Sequence, residues 1–405
     1  MTLLGWELRK IWRPAILAAL LLLGAVYYWL FPKFYMDYFS NGSDIEAQYA
    51  LACQWVEEFG PTLEPGERAE LDGQLTEEIA AFDRQIAAIP EAEAAGWEDY
   101  DAFCAFREGY YQEALQADSE ADMDTEALLW RVYSGTNWFR IQAITRYLEY
   151  YDSLPDLCRQ TLDRPAEDWT DFTPAMIRRE QTLAADMAPS YAPLLEGMLS
   201  STREYGKDLA LWCVLSVVIL LCPTLVRDRL CRTRALQWSS RRGRAVLGTQ
   251  MGAAFLSALA LTLCNLLIYA GPFLGQGVLK FRSCRMEAIL GESTFWYGWS
   301  YGAYLLVLAG LILTLAMAAA GLSLFLSLHS GNFIALLLKA LPLFVAVGAV
   351  LGSWLLDLPF SFRRLGQSGP WLPRGAEGAV AAALLTLSLL LCLFCFLHQK
   401  KRELQ

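Results

Sequence analysis

Histidine is nearly missing: the 405 residues hold two, His329 and His398. That excludes zinc sites built on several imidazoles and most histidine-dependent acid–base catalysis. Basic side chains are scarce between Phe34 and Tyr205, where 35 acidic residues face 11 basic ones. A block with a net charge of −24 is ill suited to nucleic acid or to close contact with anionic headgroups, because both are polyanions. The same block holds only Cys53, Cys104 and Cys158, an odd number at irregular spacing, so its stability must come from packing and not from a disulfide framework. The pattern G-x-x-x-x-G-K-[ST] occurs nowhere, which excludes a nucleotide cradled by the usual nest of backbone N–H groups.

What the chain has in excess is apolar surface, with 55% hydrophobic and 13% aromatic residues. An amphipathic start, Leu3, Leu4, Trp6, Leu8, Ile11 and Trp12, leads into an uncharged run from Pro14 to Phe31, about the minimum length for a membrane span. This run is too long for a signal peptide core, and no small-residue cleavage site precedes Pro32 and Lys33. Tyr27, Tyr28, Trp29 and Phe31 close it as an aromatic belt, so an uncleaved anchor is expected. Five more runs of spanning length follow at about 209–226, 246–270, 301–328, 333–354 and 376–397.

The acidic block is long enough to bury its own core. Its apolar residues recur at helical spacing, clearest in Leu71, Leu75, Ile79, Phe82, Ile86 and Ile89. Breaks are expected at Gly60-Pro61, Pro90, the acidic turn 118–124, Gly135, Pro155, Pro165 and Pro174. The fold class that results is all-α. An amphipathic helix and first transmembrane helix occupy 1–33, an acidic helical domain of about five helices occupies 34–205, and a five-helix membrane part occupies 206–405.

Arginine and lysine orient this arrangement. Arg9, Lys10 and Arg13 precede the first span, seven arginines from Arg227 to Arg244 separate spans two and three, and Lys400, Lys401 and Arg402 follow the last. In a six-span topology all three clusters share one side, which the positive-inside rule assigns to the cytoplasm, with 34–205 outside. Loops 271–300 and 353–375 then face outward, although each carries three basic residues. Trp296, Tyr297, Trp299 and Trp354 suit an outer aromatic belt, Lys339 is placed to snorkel from span five, and Pro342 to kink it.

Three local patterns invite chemistry, and each has a plainer reading. Gly298-Trp-Ser-Tyr-Gly302 matches a nucleophile elbow, but Ser300 begins span four and His329 ends it, some 40 Å away at 1.5 Å per residue. Close helix packing by the two glycines is preferred. Asp118 to Glu126 resembles a calcium loop, yet Met123 and Leu129 occupy the glycine and bidentate glutamate positions, so a solvated turn with Asp124 as N-cap is expected. Cys392 and Cys395 form C-x-x-C inside an apolar span, where buried, inert thiols are expected.

The arginine loop, from Arg227 to Leu247, is interrupted by Leu230, Leu236 and Trp238. Composition alone reads it as retention of positive charge with headgroup contact. Order of features adds a resemblance. A short amphipathic helix with Glu7, Leu8, Arg9 and Lys10 is followed by a span, a variable outer domain and five spans. The loop between spans two and three holds Asp228, Leu236 with Ser239, and Gly243, Arg244 and Leu247. In these respects the chain resembles the permease subunit of type-2 ABC exporters, with Asp228 where glutamate is commoner and Gln250 where lysine is frequent. The likeness covers the membrane part and not the acidic block.

That resemblance implies no cofactor and no catalytic residue in this chain. It implies a separate ATP-binding subunit docking on Arg227, Asp228, Leu236, Trp238, Arg241, Arg242, Gly243 and Arg244 within a coupling loop at 227–245, a second permease subunit and a bacterial plasma membrane. Walls with almost no intramembrane charge suit an apolar or amphipathic cargo. The alternative is a membrane receptor or assembly factor whose acidic outer domain binds a partner without transport.

Overall fold

A computed structural model describes residues 2–37, 39, 43–117, 122–169, 172–187, 194–232, 246–286, 296–357 and 374–401. Every regular element among them is a helix, and an isolated bridge pairs Arg285 with Ser300. The chain divides into two compact units: Met1–Phe39, Thr170–Arg179 and Glu196–Gln405 form one, and Ser40–Trp169 with Glu180–Leu195 form the other.

The second unit is built on α4 (Ser43–Glu58), α5 (Arg68–Ile86), α6 (Pro90–Ala94), α7 (Tyr100–Ala117), α8 (Met123–Gly135) and α9 (Trp138–Leu162). Its core gathers Phe82, Ile86, Trp97, Phe103, Leu129, Val132, Trp138 and Ile141, with Leu75, Ile79 and Ile89 packed against them. The helical spacing in α5 thus lines one face. A second patch buries Trp55 and tilts it against Tyr147 with ring centroids 5.0 Å apart, while the Trp55 indole donates to Gln74 Oε1 at 2.9 Å. Gly60, at φ +89°, supplies the left-handed turn after α4 that a Cβ would resist.

Two local expectations change. Pro155 does not end a helix: α9 runs through it, because Leu154 and Cys158 on either side are 2% and 1% exposed and their packing outweighs the proline penalty of about 3 kcal/mol. The cap of α8 is Asp122 and not Asp124; its carboxylate accepts from Thr125 N at 3.1 Å and from Thr125 Oγ1 at 2.6 Å. Residues 118–121 of the proposed calcium loop lie outside the described residues, and no metal-ligating group forms among those described.

The first unit holds α1 (Leu3–Ile11), α2 (Pro14–Leu30), α3 (Pro32–Asp37), the first turns of α10 (Pro174–Met187), α11 (Glu196–Leu230), α12 (Val246–Gly275), α13 (Tyr301–Leu328), α14 (Phe333–Phe344), α15 (Ser353–Asp357) and α16 (Ala376–Lys401). Among the described residues, five helical stretches are long and apolar enough to cross a membrane: Gly197–Leu230, Val246–Gly275, Tyr301–Leu328, Phe333–Asp357 and Ala376–His398. A sixth arises if α1 and α2, bent by 46° at Trp12-Arg13, count as one. With its 17 residues α2 spans about 26 Å, short of a ~30 Å hydrocarbon layer.

The boundary at 205 falls inside α11, which is continuous from Glu196. The drop in hydropathy before Leu209 marks where this helix leaves its apolar stretch, not where it begins. α11 is the central helix, 78% buried over its most apolar stretch against 22% for α16. Pro223 interrupts its hydrogen-bond ladder, and α13 mends it: Ser327 Oγ accepts from Leu225 N and Val226 N and donates to Cys222 O. α13 also meets α16 closely, where a Cβ on Gly321 would lie 2.8 Å from Ser388 Oγ. Cys392 is buried beside this contact and donates to Gly321 O at 3.3 Å. Pro342 lies inside α14, and a π-helical segment, Val345–Gly352, follows it before α15.

Candidate functional site: the arginine-bearing end of the bundle

One end of the first unit is organised around a carboxylate. Thr2 caps α1, whose buried face carries Glu7 and Ile11. Lys10 Nζ reaches Glu7 Oε2 at 2.8 Å and Asp228 Oδ2, on the last turn of α11, at 2.5 Å. Gln250 Nε2, on the first turn of α12, donates to the same Asp228 oxygen at 3.2 Å. The Asp228 side chain is 8% exposed, so a charge this enclosed persists only because cation and amide neutralise and solvate it. Beside it Arg227 Nη2 donates to Lys10 O at 3.3 Å and Trp12 Nε1 to Ser257 Oγ at 2.9 Å, fastening α1 to α11 and α12.

Arg229 faces the other way. Its guanidinium donates to Leu328 O at 2.6 Å and Ser330 O at 2.8 Å, satisfying carbonyls at the C-terminus of α13. Lys339 Nζ donates to His329 O at 2.9 Å, so this lysine does run back along α14 to the same end. Near the end of α16, Phe396 packs on Gly248 of α12. Lys10, Arg227, Arg229 and the C-terminal turns of α16 therefore belong to one end of the bundle. The chain leaves α11 through Arg232 in the left-handed region, φ +56°, with Cys231 exposed.

Of the residues the sequence singles out for docking, Arg227 and Asp228 lie on α11 itself, so the loop begins later than 227. Leu236, Trp238, Arg241, Arg242, Gly243 and Arg244 lie outside the described residues. Glu7, Lys10, Asp228 and Gln250, separate features in the sequence, meet at one point.

A second polar cluster at the opposite end was missed. Arg203, Glu204 and Lys207 of α11 enclose Asp357 at the end of α15, with Lys207 Nζ 2.6 Å and Arg203 Nε 3.4 Å from Asp357 Oδ1. The signal was present as an i, i+4 pair of cations just before an apolar run. Nearby Thr202 Oγ1 and the Tyr301 hydroxyl share a hydrogen bond of 2.8 Å. Ser300, the nucleophile-elbow candidate, caps α13 by accepting from Ala303 N at 3.3 Å, while His329 caps the far end of that helix. Gly302 lets α13 approach the 3₁₀ helix Val278–Ser283 at the backbone of Arg282, whose carbonyl would lie 2.9 Å from an added Cβ.

The fold and this site define an all-helical, polytopic membrane protein that carries a separate acidic helical unit. Comparison with family models, with curated proteins and with solved structures found no match.

Proposed function

We propose that the chain is the permease subunit of an ATP-binding-cassette exporter that moves an apolar or amphipathic cargo with a separate ATPase subunit. It has no nucleotide site of its own, works beside a second permease subunit, and sits in a plasma membrane with both termini cytoplasmic and the acidic unit outside. The observation that carries this reading is the Lys10–Asp228–Gln250 cluster. A docking loop must transmit force, and this one starts from a helix end clamped by α1 on one side and α12 on the other. A loop serving only charge retention needs no such support.

In this reading Leu236 and Trp238 are the apolar anchors in a groove of the ATPase and the arginines position the loop. Buried aromatic anchors typically contribute ≥2 kcal/mol to an interface, whereas exposed charges mainly set encounter rate and salt dependence. Replacing Leu236 and Trp238 together by alanine is expected to abolish co-purification of the ATPase with normal membrane insertion, and neutralising Arg241 and Arg242 to weaken it less. Equal recovery with wild type and the double alanine variant would remove the docking assignment and leave the receptor reading in its place.

A further inference from the structure

Between α2, α11 and α12 lies a cavity of about 350 Å³, within the size range of small-molecule and acyl-chain sites. Leu20, Gly24 and Tyr28 of α2, Trp212 of α11, and Asn265 and Tyr269 of α12 line it. Leu21 and Ile268, 71% and 62% exposed, put its mouth on the outer, lipid-facing surface of the helices. None of the lining side chains is charged.

The polar groups in this wall differ in one respect. Tyr269 spends its hydroxyl proton on Gly24 O at 2.8 Å, and Asn265 donates to Ser216 Oγ at 2.9 Å. Trp212 is 2% exposed, and its indole Nε1–H meets no acceptor among the described residues. Buried indole N–H groups ordinarily find a partner. Gly24 lets α2 lie close against that indole: an added Cβ would come within 2.9 Å of Trp212 Cζ2 and 3.5 Å of Cε2, the carbon bonded to Nε1. Trp212 lies four residues past Asp208, the last charged residue before the apolar stretch, hence about 6 Å along the helix at 1.5 Å per residue. That depth is close to where headgroups give way to hydrocarbon.

We propose that this groove binds a diacyl lipid, with one acyl chain lying between α2 and α12 and its ester carbonyl accepting from Trp212 Nε1–H. An uncharged wall with a buried indole donor that meets no acceptor suits a neutral carbonyl better than a phosphate or an amine. The site stands independently of transport and of any ATPase.

The test uses the full chain in nanodiscs containing phosphatidylcholine with a diazirine in its acyl chain, with crosslinked peptides mapped by mass spectrometry. Label is expected on the α2 and α12 peptides that border the groove. Ala25→Phe, which fills the mouth from an exposed lining position, should cut that label at least fivefold. Ester-linked phosphatidylcholine should compete about fivefold better than its ether-linked analogue, the factor that one net hydrogen bond contributes. Trp212→Phe should erase this preference while retaining label. Label spread evenly over the lipid-facing sides of all spans, no response to Ala25→Phe, or equal competition by the two lipids in wild type would each overturn the assignment. Disulfide formation between copies through Ile268→Cys would give the groove to a second copy of the chain instead.

Discussion

Asp228 concentrates the energetics of the arginine-bearing end, since it accepts from Lys10 and Gln250 while almost closed to solvent. Removing one member leaves the others buried with an unmet charge or donor, which costs about 1–3 kcal/mol. Lys10→Met and Asp228→Ala are each expected to lower the thermal midpoint in detergent, and the double variant to lose clearly less than the two singles combined. Strictly additive losses would show that the pair does not interact. In the acidic unit Arg68 grips Asp152 with bonds of 3.0 and 2.8 Å, and that hydrogen bonding holds the Asp152 carboxyl below the usual carboxylate range. A depressed folded pKa stabilises above the unfolded value near 3.9, and the benefit is lost as pH falls through the folded value. Urea midpoints of wild type should therefore fall more steeply below about pH 4 than those of Asp152→Asn. The difference stays under about 1 kcal/mol because the Asp152 side chain is 56% exposed and screened. Each member of the Asp228 cluster was legible in the sequence by itself. Their meeting was not, because Lys10 and Asp228 stand 218 positions apart and only the packing of α1 on α11 and α12 joins them.

Among elements, α13 and α16 cross closely at Gly321 and Ser388. Gly321→Ala places a Cβ against Ser388 Oγ and Cβ and is expected to lower stability by about 1–3 kcal/mol, the range for overpacking a tight contact. Ser388→Gly removes both obstructing atoms, so the double variant should recover most of the loss in a detergent unfolding assay. Absence of recovery would mean that Gly321 matters for another reason. Element positions were readable wherever period and length agree, as in α5, α12 and α13. Prolines were the weak point. Pro90 and Pro174 do sit at the first position of a helix, but Pro155 and Pro223 are carried through by packing and by Ser327, and Pro342 lies within a helix that continues into a π-segment. Whether a proline ends, bends or merely loosens a helix depends on neighbours that local sequence does not name.

For the whole molecule, the acidic unit carries 31 acidic side chains against 8 arginines and its own aromatic core. A fragment of residues 40–195 should therefore be soluble and strongly helical by circular dichroism, and a random-coil spectrum would refute an autonomous unit. Composition makes this unit visible but not its C-terminal limit at Leu195, because α11 begins at Glu196, before hydropathy rises. The function proposed depends on the arginine-bearing end facing the compartment that holds ATP. Single-cysteine variants retaining Cys104 or Cys231, treated in intact cells with a membrane-impermeant maleimide, test that orientation directly. Cys231 is exposed; Cys104 is half-buried and burial raises its thiol pKa, so mild denaturant and pH near 9 are used for both. Labelling of Cys104 with protection of Cys231 until the membrane is opened is the predicted result, and labelling of Cys231 with protection of Cys104 would contradict it.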